Sequence, residues 1–244
     1  MRPFLLVSTR PEEEAIEAEL RSYLRVSQLE AGDIEQVRFD LGTLPDIDVH
    51  EYSGIFVAGS PYDTTSTSKS ATQIAVEEEL EHLFRDIADS GIPCLATGYG
   101  MEVATTVLGG EVTTHWAEPP SVVDIDLTEE GREDPLLDGF PYTGFHCYVS
   151  HHEAVETPPD GAVVLAKSYN CPVQVMKVAD NFYATQFNPD IDSDAIEAQL
   201  QKYEDAGYSG TGDLGSLQII GRYGAGTHQA GQLIRNFVKM YAAN

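Results

Sequence analysis

Hydrophobic positions along this chain follow two rhythms. Short continuous apolar runs fall at 3–8 and 54–58, the last reading Gly-Ile-Phe-Val-Ala, and a further strand is expected at 34–39. Unbroken runs of this length suit strands covered on both faces. Between them the spacing changes. Residues 11–25 carry Ile16, Leu20 and Leu24 one helical turn apart, and 73–90 place Ile74, Leu80, Leu83, Phe84 and Ile87 on one stripe, so both segments are predicted to be helices. Strands alternating with helices imply an α/β fold with a mainly parallel sheet flanked by helices, whose ligands bind at the carboxyl ends of the strands.

From 112 to about 187 the strand rhythm takes over, with candidates at 122–127, 147–149, 163–166, 172–177 and 181–186, so a β-rich portion is added to the parallel core. The run Tyr62-Asp-Thr-Thr-Ser-Thr-Ser-Lys-Ser70 is polar and turn-rich and is expected to be a mobile loop beside the cleft. Beyond residue 190 the pattern gives a helical stretch at 193–206, a glycine-rich segment at 207–226 and an amphipathic helix at 228–241. The glycine-rich segment lacks the Gly-Lys-Ser/Thr of a phosphate loop. With no internal repeat and no linker, the 244 residues read as a single domain.

Composition narrows the partners. Forty acidic residues against 14 basic ones give a net charge of −26, a surface that repels phosphate backbones and anionic lipid. No basic patch stands out in the sequence, so neither nucleic acid nor membrane is expected as a partner. Scarce lysine beside abundant acid suits a salty cytosol, and a melting temperature that rises steeply with KCl is the corresponding expectation. No apolar run approaches the roughly 20 residues of a bilayer span, and the first apolar stretch is too short for a signal peptide. Cys94, Cys147 and Cys171 are an odd, unpatterned set that indicates neither disulfides nor zinc, which fits a reducing cytoplasm.

The chemistry concentrates at Ala96-Thr-Gly-Tyr-Gly-Met-Glu102. It follows the apolar Ile92-Pro-Cys-Leu95 and precedes Val103-Ala-Thr-Thr-Val-Leu108, closed by Gly109-Gly110. Strand, sharp turn and helix make a nucleophile elbow, in which the central residue is held strained and exposed at a helix N-terminus. The central residue is Gly98. A second word, Gln186-Phe-Asn-Pro-Asp190, lies far downstream.

These words resemble those of the class I glutamine amidotransferases, above all the amidotransferase part of GMP synthetase, where the elbow reads G-x-C-Y-G-M-Q and the second signature Q-F-H-P-E. Three further stretches match in order: Ser53 to Pro61, resembling the strand and glycine loop that help form the oxyanion hole; Leu108 to Val112, resembling L-G-G-x-V; and Cys147 to Val155, resembling the S-H-G-D-x-V strand and turn. The recognisable core thus runs from about 53 to 190, with a helical extension at 191–244. The resemblance implies a flavodoxin-like fold.

It also implies that Gly98 stands at the nucleophile, Asn188 at the base and Asp190 at the carboxylate that orients the base. Glycine offers no nucleophile, and an amide does not titrate in the useful range. Gly59, Ser60, Tyr99, Glu102 and His151 fall at positions that the resemblance places around the substrate. Glu102 puts a carboxyl group where the family has a neutral amide; two compatible readings are a charge facing the cleft and a first-turn glutamate stabilised by its helix. His146, His151, His152 and Glu153 invite a metal reading, yet neighbouring strand residues face opposite ways, so neither metal nor cofactor is expected. Buried structural thiols are expected of Cys94 and Cys147.

The function expected is a non-catalytic binding or regulatory homologue. The alternatives are an enzyme in the same cleft, either an amide or ester hydrolase using Asp190, Glu102 or His151 or an amidotransferase with a non-standard nucleophile, and a non-hydrolysing partner subunit of a synthetase. A small-molecule ligand or a synthetase-type protein, with possible homo-oligomers, are the partners implied.

Overall fold

A computed structural model describes residues 2–41, 47–191 and 229–242. Among the described residues, nine strands form one sheet in the order β2-β1-β3-β4-β11-β10-β9-β6-β7. Five of them, β1 (Phe4–Ser8), β2 (Ile34–Arg38), β3 (Gly54–Val57), β4 (Cys94–Thr97) and β11 (Phe182–Thr185), run parallel to one another. Antiparallel pairing then carries the sheet outward through β10 (Val175–Ala179), β9 (Val163–Lys167), β6 (Glu118–Leu127) and β7 (Phe145–His151). A separate ribbon pairs β5 (Glu111–Thr113) with β8 (Ala154–Thr157).

The continuous apolar runs are explained by cover on both faces. In β1, Phe4 and Leu6 join the cluster under α1 (Glu13–Ser27) and α5 (Gly231–Tyr241), while Leu5 and Val7 join the one under α2 (Ala71–Ser90) and α3 (Tyr99–Val107). The same alternation sends Phe56 and Leu95 one way and Ile55, Val57, Cys94 and Ala96 the other. Phe4 stacks on Phe56 at 5.3 Å in one layer and Phe84 on Phe182 at 5.5 Å in the other. Each such ring contributes roughly 1.5–3 kcal/mol on burial. A short helix, α4 (Glu129–Glu133), begins with Thr128 accepting the Gly131 amide.

Local signals fix the ends of α2. Ser70 caps it by accepting the Gln73 amide, and Gly91 closes it with φ +68°. The expected stripe differs at one position: Ile74 is 46% exposed, and Val76 takes the buried place with Leu80, Leu83, Phe84 and Ile87. Ile74 lies in the first turn, on the open side of the helix. The expected strand at 172–177 begins later, at Val175, because Ser168 and Cys171 close a turn through mutual hydrogen bonds of 2.9 and 3.0 Å. The final amphipathic helix is α5, while the stretches predicted at 193–206 and 207–226 lie outside the described residues.

Candidate binding cleft and elbow

The parallel strands β3, β4 and β11 end side by side, and their ends build the site. Gly98 follows β4 with φ +52° and ψ −120°, and α3 starts at the next residue. Its amide donates to Thr185 O at 2.8 Å, while its carbonyl accepts from Met101 and Glu102. This is elbow geometry, and it lies where side-chain-bearing residues are strained by about 1–3 kcal/mol, so glycine holds the turn without that strain.

Three residues beyond β11, Asn188 reaches back to the elbow. A β-carbon built on Gly98 would lie 2.9 Å from Asn188 Oδ1, and one built on Gly59, just beyond β3, would lie 2.3 Å from the same atom. The two positions that sequence pairs as nucleophile and base therefore face each other. Asn188 Oδ1 is buried and makes no hydrogen bond with any described residue. Ser60 holds the next step of the loop, its hydroxyl 3.5 Å from Thr9 O.

Above this floor opens a cleft of about 600 Å³, lined by Gly98, Tyr99, Glu102, His151, Gln186, Asn188 and Asp190, with the 60–63 loop and one side of α1 as walls. The α1 wall was not legible in the sequence. Arg10, Arg21 and Arg25 converge there, in a chain with few cations, beside Glu14, Glu19, Asp63 and Asp190. The one available signal was the four-residue spacing of Arg21 and Arg25 on a helix. Arg10 is committed to Glu19 at 2.9 Å. Burial raises the Glu19 carboxyl above its ordinary range, with the Arg10 charge opposing. Asp190 sits at this wall: its carbonyl accepts from the Ser22 hydroxyl, and its charge adds to burial in raising the Tyr23 phenol. Tyr99 leans toward α2, donating to Glu77 at 2.9 Å and meeting the Tyr62 ring edge-on at 5.9 Å.

Glu102 lines the cleft but is only 4% exposed. Burial first, then the charge of Glu153, pushes its carboxyl well above the usual range, against the helix N-terminus, which favours the anion. Its Oε1 accepts the Gln186 amide at 2.8 Å. His151 lines the cleft wall. Both of its ring nitrogens have protein partners, Nδ1 at 3.0 Å from Glu153 O and Nε2 at 2.9 Å from Glu118 Oε2.

Glu118, Ser168 and Gln174 complete this network and escaped the sequence reading, since their partners lie tens of residues away. Ser168 donates to Glu118 Oε1 at 3.0 Å, and Gln174 to Oε2 at 2.6 Å. Glu118, His151 and Cys171 bring ligand atoms within 4.8 Å of one another. Their donors and acceptors already serve protein partners, Cys171 included, whose thiol burial pushes up to about 12. The histidines first considered do not converge: His152 is exposed and His146 pairs with Asp124. Cys94 and Cys147 are buried, and burial raises both thiols far above the range of a reactive thiolate.

A sheet with a parallel half, covered on both faces and ending in an elbow opposed by a residue just beyond the adjacent parallel strand, defines an amidotransferase-type α/β protein. The chain belongs to the glutamine amidotransferase class-I family, whose model matches residues 17–202. Curated relatives include a glutamine-hydrolysing GMP synthase of Ruminiclostridium cellulolyticum, 37% identical over 106 residues, or 43% of this chain. Another, from Neisseria meningitidis, is 30% identical over 154 residues, or 63% of this chain. The matches span 20% and 27% of those two proteins. Among solved structures, a Thermotoga maritima glutamine amidotransferase superposes with TM-score 0.78 at 14% identity, covering both chains in full. A putative GMP synthase subunit from Thermoplasma acidophilum gives 0.62 at 20% identity, covering 100% of this chain and 95% of that one. At these identities the structural likeness concerns the fold. No helix among the described residues is long and apolar enough to cross a membrane.

Proposed function

We propose that this chain is a class I amidotransferase homologue that does not hydrolyse glutamine and binds a small-molecule ligand in the elbow cleft. One observation carries the reading: the β-carbon position of Gly98 faces Asn188 Oδ1 at 2.9 Å, so neither side of the elbow supplies a nucleophile or a base. Hydrolysis in the family needs a thiolate to attack the amide and an imidazole to move the proton. The remaining backbone donors account for only about 10³–10⁴-fold over water. The neighbouring groups do not replace the pair, since Glu102 is buried, with its carboxyl held well above the ordinary range and hydrogen-bonded to Gln186, and both nitrogens of His151 are engaged.

Steady-state glutamine hydrolysis by the native protein and by the Gly98→Cys, Asn188→His double variant tests this. Absent turnover in the native protein and measurable turnover in the variant are expected. Native turnover that survives removal of trace contaminants and falls on cleft substitution overturns the reading.

A second reading rests on the partial match to GMP synthases, which covers 20–27% of those proteins. The chain then works beside a separate synthetase subunit that it positions without delivering ammonia. Co-purification of a synthetase with the native protein supports it, and a monomer with no such partner in its host counts against it.

A further inference from the structure

Glu118 and His151 stand opposite one another in the β6–β7 ladder, so their side chains leave the sheet side by side. The turn between β9 and β10 brings a third group to them. Its ends are tied, Ser168 N to Cys171 O at 2.9 Å and Cys171 N to Ser168 Oγ at 3.0 Å. Ligand atoms of Glu118, His151 and Cys171 thereby fall within 4.8 Å of one another. Glu118 and Cys171 are buried, and the His151 side chain is only 5% exposed. Carboxylate, imidazole and thiolate are the side chains that bind zinc, at about 2.0–2.3 Å, so small side-chain movements close this set on one tetrahedral ion. The ligands come from three separate elements, and no short spacing marks them.

Two features go beyond proximity. The groups behind the three are those that orient metal ligands. His151 Nδ1 lies 3.0 Å from the Glu153 carbonyl, which can only accept, so Nδ1 carries a proton and Nε2 is turned toward Glu118 Oε2 at 2.9 Å. Ser168 donates to the other carboxyl oxygen at 3.0 Å. Polar capacity is also left over. Gln174 is fully buried and donates through Nε2 to Glu118 Oε2 at 2.6 Å, while its Oε1 has no hydrogen-bond partner among the described residues. The Cys171 thiol makes one long contact, 3.5 Å to Val173 O. Among the described residues no lysine or arginine pairs with Glu118, whose side-chain partners are His151, Ser168 and Gln174. Carboxylate, thiolate and neutral imidazole together carry two negative charges, which a divalent cation cancels, and a buried charge needs such a partner.

We propose that Glu118, His151 and Cys171 bind a zinc-type divalent cation, with the Gln174 carboxamide oxygen turning in as fourth ligand. Binding exchanges protons for metal. The proton between His151 Nε2 and Glu118 Oε2 and the thiol proton of Cys171 pass to water, and the ion takes the lone pairs they leave. Burial pushes the lone thiol up to about 12, and the adjacent dication supplies the opposite charge that a coordinating thiolate needs. Four protein ligands leave no open position, so the ion is structural. It ties the start of β6, the end of β7 and the 168–171 turn behind the cleft wall, and His151, which lines the cleft, marks its path of entry. The site stands whether or not the cleft hydrolyses glutamine.

The full chain, stripped of metal by chelation and titrated with Co²⁺ alone, tests the site. A thiolate-to-cobalt charge-transfer band with the strong visible bands of a tetrahedral ion is expected, saturating at equimolar Co²⁺ and abolished by Zn²⁺. Cys171→Ser is expected to lose the charge-transfer band, and Cys94→Ser to keep it. Ser168→Ala removes only an outer partner, so it should keep the band and weaken Co²⁺ binding about 10–100-fold. Surface carboxylates of this acidic chain would hold Co²⁺ through oxygen, so weak octahedral bands without a thiolate band overturn the proposal. A thiolate band that survives in Cys171→Ser overturns it equally. If Cys171→Ser does not fold, Ser168→Ala locates the ion, and unchanged Co²⁺ affinity there overturns the proposal. Glutamine hydrolysis tests the functional reading separately, so failure of one leaves the other standing.

Discussion

The two sides of the cleft treat buried polarity in opposite ways. On the elbow side, Gly98, Gly59 and Asn188 meet without an ionisable group, and the one polar atom at the centre, Asn188 Oδ1, has no hydrogen-bond partner among the described residues. On the far side, the carboxyl group of Glu118 takes three side-chain partners, and Glu153 takes four donors from two threonines. The first arrangement brings together side chains with no titratable group. The second holds the fold and the cleft wall together. The difference is that the groups of the far wall satisfy one another by hydrogen bonds, while Gly98 and Asn188 face each other without such a bond.

The sharpest way to break this contrast is to remove the centre of the satisfied network. Glu118→Ala strands His151, Ser168 and Gln174 in a buried site where their partner is gone. Leaving such groups unpaired typically costs about 3–5 kcal/mol. Urea unfolding with an unchanged slope and a midpoint lowered accordingly is expected; a loss below about 1 kcal/mol would show that the network is ornamental to stability.

Next in size are changes that press on the elbow. Gly98→Cys alone forces a side chain into φ +52° and sets its β-carbon 2.9 Å from Asn188 Oδ1, an expected loss of about 1–3 kcal/mol. Gly59→Ala meets the same oxygen at 2.3 Å, and about 1–3 kcal/mol is expected there too. Because the obstacle is the end of one side chain, most of the Gly59→Ala loss should vanish in an Asn188→Ala background, a coupling that a double-mutant cycle measures. Full additivity would mean that the glycine is needed for its backbone and not for the room it gives Asn188.

The carboxyl groups of the far side give a pH-dependent contrast. Because the folded carboxyl of Glu102 is raised, the stability it allows is fully present below the unfolded carboxyl range and is lost as pH rises toward the folded value. Glu102→Gln escapes that loss, so its advantage over the native protein should grow with pH, by at most about 1.4 kcal/mol per unit. Glu153 is lowered, and its contribution runs the other way, present above the unfolded range and lost as pH falls below it. Melting temperatures of both proteins from pH 5 to 8 separate the two.

This division also explains how much of the molecule the sequence disclosed. The elbow, the β3 loop and the Gln186–Asp190 word are each written in consecutive residues, so strand ends and the cleft floor follow from local pattern. Ser70 and Gly91 mark α2 in the same local way. The networks are not local: Glu118 meets His151 and Gln174 across strands β6, β7 and the turn before β10, and Glu153 meets Thr64 from 89 positions away. Nothing in the spacing of those residues marks the contacts. The raised carboxyl of Glu102 was equally hidden, because it depends on burial and on a charge from another element. Ile74 fails for the reverse reason, since helical spacing specifies a stripe but not where it meets the sheet.

The smallest expected effect is the most pointed. Asn188→Ala removes an amide whose oxygen accepts no hydrogen bond from the described residues and whose bulk fills the space beside two glycines. Deleting it forfeits some packing, yet it also removes a buried acceptor that is already unsatisfied, a change that can be nearly neutral. The two effects oppose, and a net change below about 1 kcal/mol in either direction is expected. Urea unfolding of this variant beside Glu118→Ala compares the two sides of the cleft in one experiment. If Asn188→Ala proves as damaging as Glu118→Ala, the elbow corner holds the fold as firmly as the far wall does, and the contrast between them fails.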